Sequence, residues 1–260
     1  VKVRTELRGA PRLSEQEVSQ RCRAFLFASL GGAIACATGA STIQICENGV
    51  GSVNLPLMVG MQVGARNTKS AHPRFLQNMS RLVSEVAGRR VQFVLPFRDE
   101  TKAQMIQGLS CEELDPVLQS TISCSHYPQR MAGSVHSCGV CASCIERRQA
   151  MYCGGLEENT SIYRYDWLNG PDDFAKIPDG KLNYLKATLM QIAHLDRSSR
   201  KKPSSFIEDH FYGTGIVKDD QELRQRLKVL HRYKDEWLDL IDYAKQQNLP
   251  WSNWVRRADN

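Results

Sequence analysis

Cys138, Cys141 and Cys144 stand at Cys-x-x-Cys-x-x-Cys spacing in the run SCGVCASC (137–144), and Cys124 precedes them across a polar loop. Thiolates are soft ligands, and zinc takes four of them in a tetrahedron at about 2.3 Å. A Cys-x-x-Cys turn lets two sulfurs converge on one ion. Repeating it supplies three corners from one tight segment, and Cys124 can close the fourth. A shell of four cysteines leaves no open position for water, so such a metal is structural. His126 or His136 could replace one cysteine, and iron–sulfur clusters also use closely spaced cysteines. Free thiols are the bland alternative, but this density in a Gly- and Ser-rich stretch has no packing rationale.

A second group of residues has the chemistry to hold a polar, anionic ligand. Glu47 and Asn48 end an apparent strand, where ligands of open α/β sheets lie. Either side chain can accept from the donors of a ligand, or simply form a turn. Arg66, Lys69, His72 and Arg74 follow and can hold carboxylate or phosphate, although a solvated loop charge is the commoner fate. Lys102 opens a helix, where backbone N–H groups already favour anions.

The elements that must position these residues can be read from periodicity. Ser14 and Glu17 have capping-box spacing, and Leu26, Leu30, Ile34 and Ala37 follow on one face of a buried helix. Gly39 sits where a left-handed stop belongs. STIQIC (41–46) reads as a β-branched strand, and 47–72 shows no period. Pro73 suits the first position of a helix carrying Phe75, Met79, Leu82, Val83 and Val86 and ending at Gly88. RVQFVLPF (90–97) reads as a buried strand. Thr101 caps a helix with Ala103, Met105 and Ile106, and Ser110 with Glu113 forms another capping box. Helix–strand–helix–strand–helix order predicts an α/β fold with a parallel sheet.

Beyond Cys153 the composition changes. All four tryptophans fall there, and 219–247 places Leu223, Leu227, Leu230, Trp237, Leu240, Ile241 and Ala244 along one side of a long helix. The expected organisation is a sheet-containing unit at 1–154, with the cysteine loop at 124–144, and a helical extension at 155–260 that packs on it or on a partner. Cys153 reads as a small buried residue.

Composition excludes little. The apolar fraction is 42%, the charged fraction 24%, the net charge +6 and the pI about 8.8. Basic clusters at 89–91, 197–202 and 256–257 are ordinary solvated surface more often than nucleic-acid contacts. No run reaches the roughly 18 apolar residues of a membrane span, and no membrane association is expected. Nine cysteines, an odd and scattered set, suit a reducing cytoplasmic compartment better than a disulfide framework. The chain opens on Val1, which suggests a C-terminal fragment of a longer polypeptide. Two strands alone do not make a stable parallel sheet, which agrees.

The cysteine pattern, with Arg147 and Ala150 after it, resembles the zinc-binding end of the 7-cyano-7-deazaguanine synthases, ATP-dependent ligases of the PP-loop superfamily. PFRDETKAQMI (96–106) resembles that family's strand-to-helix passage, and 21–48 its Arg-x-x-x-Phe-Leu helix and strand ending near Asn48. HPRFLQNM resembles the helix start after its substrate loop. The likeness spans about 21–151. Departures are a longer Cys124–Cys138 loop, a missing Tyr-Pro-Asp-Cys stretch, and the helical extension. They look more like the phage-defence-associated, QatC-type branch. The family's Ser-Gly-Gly-x-Asp-Ser pyrophosphate loop is absent from this sequence.

The resemblance implies the C-terminal part of a PP-loop (adenine-nucleotide α-hydrolase-like) sheet domain. It implies structural Zn2+ on Cys124, Cys138, Cys141 and Cys144, with ATP and Mg2+ bound through an N-terminal half not in this sequence. It implies a 7-carboxy-7-deazaguanine-like substrate whose activated carboxylate meets ammonia or an amine of a defence-operon partner. Arg21 matches a family arginine on the nucleotide side, beside Glu47, Asn48, Arg66, His72, Arg74 and Lys102 as binding residues. The competing expectations are a catalytically silent zinc scaffold and a PP-loop enzyme acting on tRNA.

Overall fold

The computed structural model describes residues 23–53, 55, 71–109, 116–118, 120–126, 135–200 and 205–254. Arg21, Arg66, Lys69 and the two capping boxes at Ser14 and Ser110 lie outside the described residues. The chain is mixed α/β and mostly helical, with a small parallel sheet. Among the described residues no helix is long and apolar enough to cross a membrane.

Helix α1 (Arg23–Thr38) leads through Gly39, at φ +76°, into strand β1 (Thr42–Gln44). Its buried face is Ala28, Gly32 and Ala35, not the expected Leu26, Leu30, Ile34 and Ala37. The reason is proximity. A Cβ on Gly32 would stand 2.6 Å from Val83 Cγ2, so only small residues fit the side facing the next helix. The bulky residues turn outward, leaving Phe25 51% and Phe27 58% exposed. Arg89 closes the end of α1 by donating to the carbonyls of Ala35 (2.6 Å) and Ala40 (3.0 Å).

Helix α2 (Gly49–Val53) falls within the stretch expected to lack structure. Asn48 starts it by accepting from the N–H of Gly51 at 2.9 Å, a local capping signal that no hydrophobic period announces. Helix α3 (Pro73–Ala87) follows, with His72 Nδ1 accepting from Arg74 N and Gly88 ending it at φ +60°. Leu76, Met79 and Val83 are buried, while Leu82 and Val86 face outward.

Strand β2 (Gln92–Val94) pairs with β1 in parallel, Ile43 opposite Phe93. Both strands are shorter than their apolar runs, and β2 is only partly buried. Its outer edge is occupied. Ser80 Oγ accepts from Phe93 N, and Ser84 Oγ from Val91 N, both at 2.9 Å. Helix α4 (Lys102–Gln107) opens with a reciprocal capping box between Thr101 and Gln104, as expected.

The remaining described α-helices are α5 (Ala142–Cys153), α6 (Pro171–Ala175), α7 (Asn183–Arg200), α8 (Ser205–Thr214) and α9 (Asp220–Gln246). Helix α9 is about 40 Å long at about 1.5 Å per residue. It buries Leu223, Leu230, Trp237, Leu240, Ile241 and Ala244 of the stripe its sequence predicts, together with Arg226, Val229 and Tyr233, while Leu227 is only partly buried. Asp219 caps its start and Lys245 lies in its last turn, complementing the helix dipole. Trp167, Trp237 and Trp251 meet in the core, with Trp167 stacked 6.1 Å from Trp237 and edge-on 5.3 Å from Trp251. Each indole buries on the order of 200 Å², about 5 kcal/mol at ~25 cal/mol per Å² before ordering entropy is counted. Val53 of α2, Val140 and Ile145 of α5 join the same cluster. The helices after Cys153 thus pack continuously onto the cysteine-bearing helix.

Candidate functional site

The sulfurs of Cys124, Cys138, Cys141 and Cys144 lie within 4.8 Å of one another, with Cys138 and Cys144 4.0 Å apart. Four sulfurs at about 2.3 Å from a central ion would be about 3.8 Å apart in a regular tetrahedron, so the donor set fits a metal such as zinc. The local chain geometry supports convergence. Cys138 N donates to Cys124 Sγ and Cys141 N to Cys138 Sγ, both at 3.3 Å. Gly139 turns between them at φ +82°, where a Cβ would lie 1.8 Å from Tyr165 O. No other residue fits there. Cys141 is the N-cap of α5, which carries Cys144 into the cluster on its first turn.

The thiols already lean on one another. Hydrogen bonds from Cys138 and Cys144 hold the Cys141 thiol far below its ordinary value. Its hydrogen bonds to Cys138 and Cys141, with burial, push Cys144 far up. Cys138 is pushed up to about 11, chiefly by its bond to Cys141. A dication would take the place of the shared protons. His126 and His136 are not among the clustered donors.

The next turn of α5 holds the cluster's two flanking segments. Arg147 is buried and donates to Glu158 (2.5 Å), to the carbonyl and hydroxyl of Thr121 (2.8 and 2.6 Å), and to Leu118 O (2.8 Å). Arg148 pairs with Asp166 at 2.9 Å and lies 4.8 Å over the Tyr163 ring. Tyr163 donates to Glu158 at 2.8 Å. Segment 118–124 is thereby tied to segment 158–166 through one helix. Removing one partner of such a buried pair costs about 3–5 kcal/mol.

Glu47, Asn48 and Lys102 come together at the carboxyl ends of the two strands. Glu47 accepts from the Asn48 backbone and side-chain amides at 3.2 and 3.0 Å. Burial pushes its carboxyl up, and the Lys102 charge pulls it back in part. Lys102 Nζ reaches Glu146 of α5 at 3.4 Å. Beside them Glu236 of α9 accepts from Gln149 at 3.1 Å and from Thr101; burial pushes its carboxyl up too. Helix α5 is therefore shared, with its first turn on the sulfurs and Glu146 and Gln149 on the strand ends. His72 and Arg74 do not join this group. His72 is a buried cap, and Arg74 lines a separate cleft beside β2.

Sequence reading missed Glu146, Gln149, Glu158, Asp166 and Glu236. The available signal was the charged pair Arg147–Arg148 placed one turn after a buried cysteine, which requires nearby carboxylates. Cys153 is half-buried rather than buried, donates to Glu236 O at 3.3 Å, and is pushed up to about 12 by burial.

Residues 61–153 match the family described as Queuosine biosynthesis protein QueC. The matched stretch includes α3, β2, α4, the four cysteines and α5, and ends at the last residue of α5. It does not reach α1 and β1, which had also been read as similar. No curated protein and no solved structure matches the chain.

Proposed function

We propose that this chain supplies the zinc-bearing part of an ATP-dependent ligase of the 7-cyano-7-deazaguanine synthase type. In that chemistry a carboxylate attacks ATP, forming an acyl adenylate and releasing pyrophosphate. Nitrogen then attacks the acyl carbon and AMP leaves. The carrying observation is the four-cysteine cluster within a QueC-like segment, one of whose cysteines lies on a helix that also reaches Lys102 at the strand ends through Glu146.

Each residue has a definite part in this reading. Zinc on Cys124, Cys138, Cys141 and Cys144 is structural and fixes α5. Lys102, at a helix start, steadies phosphate charge. Glu47 and Asn48 pair with the donor edge of 7-carboxy-7-deazaguanine, and Arg21 and Arg66 contribute further cations. The pyrophosphate cradle and Mg2+ come from a separate segment, and ammonia or an amine of a defence-associated partner protein is the acceptor.

The test is mass spectrometry of the natural full-length product with ATP, 7-carboxy-7-deazaguanine and ammonium, without and with its genomic neighbour. ATP-dependent appearance of amide, nitrile or protein adduct, lost in Lys102→Ala, is expected. A protein that retains zinc yet consumes no ATP with this acid would overturn the ligase reading and leave a scaffold.

A further inference from the structure

A cleft of about 480 Å³ opens between the first turns of α3, the outer edge of β2 and the turn joining α8 to α9. That volume is typical of small-molecule sites. Arg74, Arg98, Lys218 and Arg226 line it, with Glu222 as the one acid. None of Glu47, Asn48, Lys102 or Glu146 takes part.

The acids near these cations are already engaged. Glu222 accepts from the Lys218 backbone N–H at 3.0 Å, which ties down the start of α9. Asp99 pairs with Arg226, whose guanidinium also holds Arg98 O. Arg226 is therefore a fixed charge at the base of the cleft. Arg98 keeps only a long 3.6 Å contact to Asp99 and is about half exposed. The side chains of Arg74 and Lys218 have no ion-pair partner among the described residues. Gly215 turns between α8 and α9 at φ +73°, and a Cβ added there would stand 3.7 Å from Arg74 Cδ. Among the described residues, two cationic heads without an ion-pair partner and a third held only at 3.6 Å thus border one space.

The lining restricts what can enter. Leu76, Phe93 and Ile216 give the cleft an apolar floor, with Gln77 and Gln92 beside it. An added β-strand is excluded, because Ser80 already takes the Phe93 N–H. An occupant must be held by side chains, with oxygens toward the cations and a flat or apolar body toward the floor.

We infer that this cleft binds a nucleotide-sized oxyanion, through Arg74, Arg98 and Lys218 over a floor that includes Phe93 and Ile216. The site is distinct from the strand-end group and depends on residues 215–226, beyond the QueC-like segment. Phosphate ester and polycarboxylate share the required chemistry.

Titration calorimetry on the whole chain tests this with AMP, citrate and inorganic phosphate in separate arms. Saturable binding of AMP or citrate is expected, the tighter of the two identifying the anion. Lys218→Glu and Arg98→Glu should each weaken it at least about tenfold, the scale of one charge-assisted hydrogen bond. Lys181→Glu, an exposed reversal outside the cleft, should leave it unchanged. Both altered side chains are at the surface, and unchanged melting curves will show that the variants fold. No saturable binding of any probe, or equal binding by both charge-reversed variants, overturns the inference.

Discussion

The cysteine-bearing region and the two-stranded region are built on opposite economies. Around Cys124–Asp166 the buried charges among the described residues are closed on one another: Arg147 spans Thr121, Leu118 and Glu158, and Arg148 reaches Asp166. Behind it the tryptophan core is fully covered. The β1–β2 region has three-residue strands, and α1 turns Phe25 and Phe27 outward. A region fixed by converging cysteines and buried charge tolerates no partial version of itself. A region fixed by a small-residue contact such as Gly32 on Val83 leaves large apolar surface available to something else.

Metal removal should break this comparison most severely. Cys144→Ser, or chelation, is expected to cost on the order of 10 kcal/mol of local folding. The clustered thiols that remain, four after chelation and three in Cys144→Ser, should then become reactive in a thiol-titration assay while α1 and α3 keep their helicity; unchanged thiol reactivity would contradict a bound metal. Next comes Arg147→Ala, which removes the nearest cation from the buried Glu158 carboxylate and leaves it Tyr163 and a longer contact to Arg148. A loss of about 3–5 kcal/mol in denaturant unfolding is expected, against a small loss for Arg98→Ala at the surface.

A smaller effect is pH-dependent. Burial raises the Glu47 carboxyl in the folded chain, so its contribution to stability is present below the ordinary glutamate value, about pH 4. That contribution is lost as pH rises through the raised native value. Glu47→Gln should therefore increase the melting temperature at neutral pH, with the gain vanishing toward pH 4. Equal melting curves at every pH would remove Glu47 from the buried set. The smallest change is expected for Phe27→Ser, within about 0.5 kcal/mol for the chain alone. A large loss would mean that α1 already has a partner on that face.

Much of this was legible in sequence. Cysteine spacing located the cluster, and the Pro73, Gly88 and Thr101 boundary signals located α3 and α4, because caps are local. The apolar stripe of α9 was equally plain. The face of α1 was not, since a helix apolar on all sides carries no phase, and the decisive contact is a glycine against Val83 of another helix. Helix α2 escaped for the opposite reason: its start is one Asn48 side chain bonded three residues ahead, within a glycine-rich run without period. The carboxylates at 146, 158, 166 and 236 are spread over ninety residues, and only the fold of α5 makes them neighbours.

The two serine hydroxyls along β2 give the sheet a direction. With the Phe93 and Val91 amides taken by Ser80 and Ser84, hydrogen-bonded growth is blocked on that flank and every newcomer must arrive beside Ile43. A terminus sealed by its own crossover helix acts as the first course of a wall, and sets the order in which any others are laid.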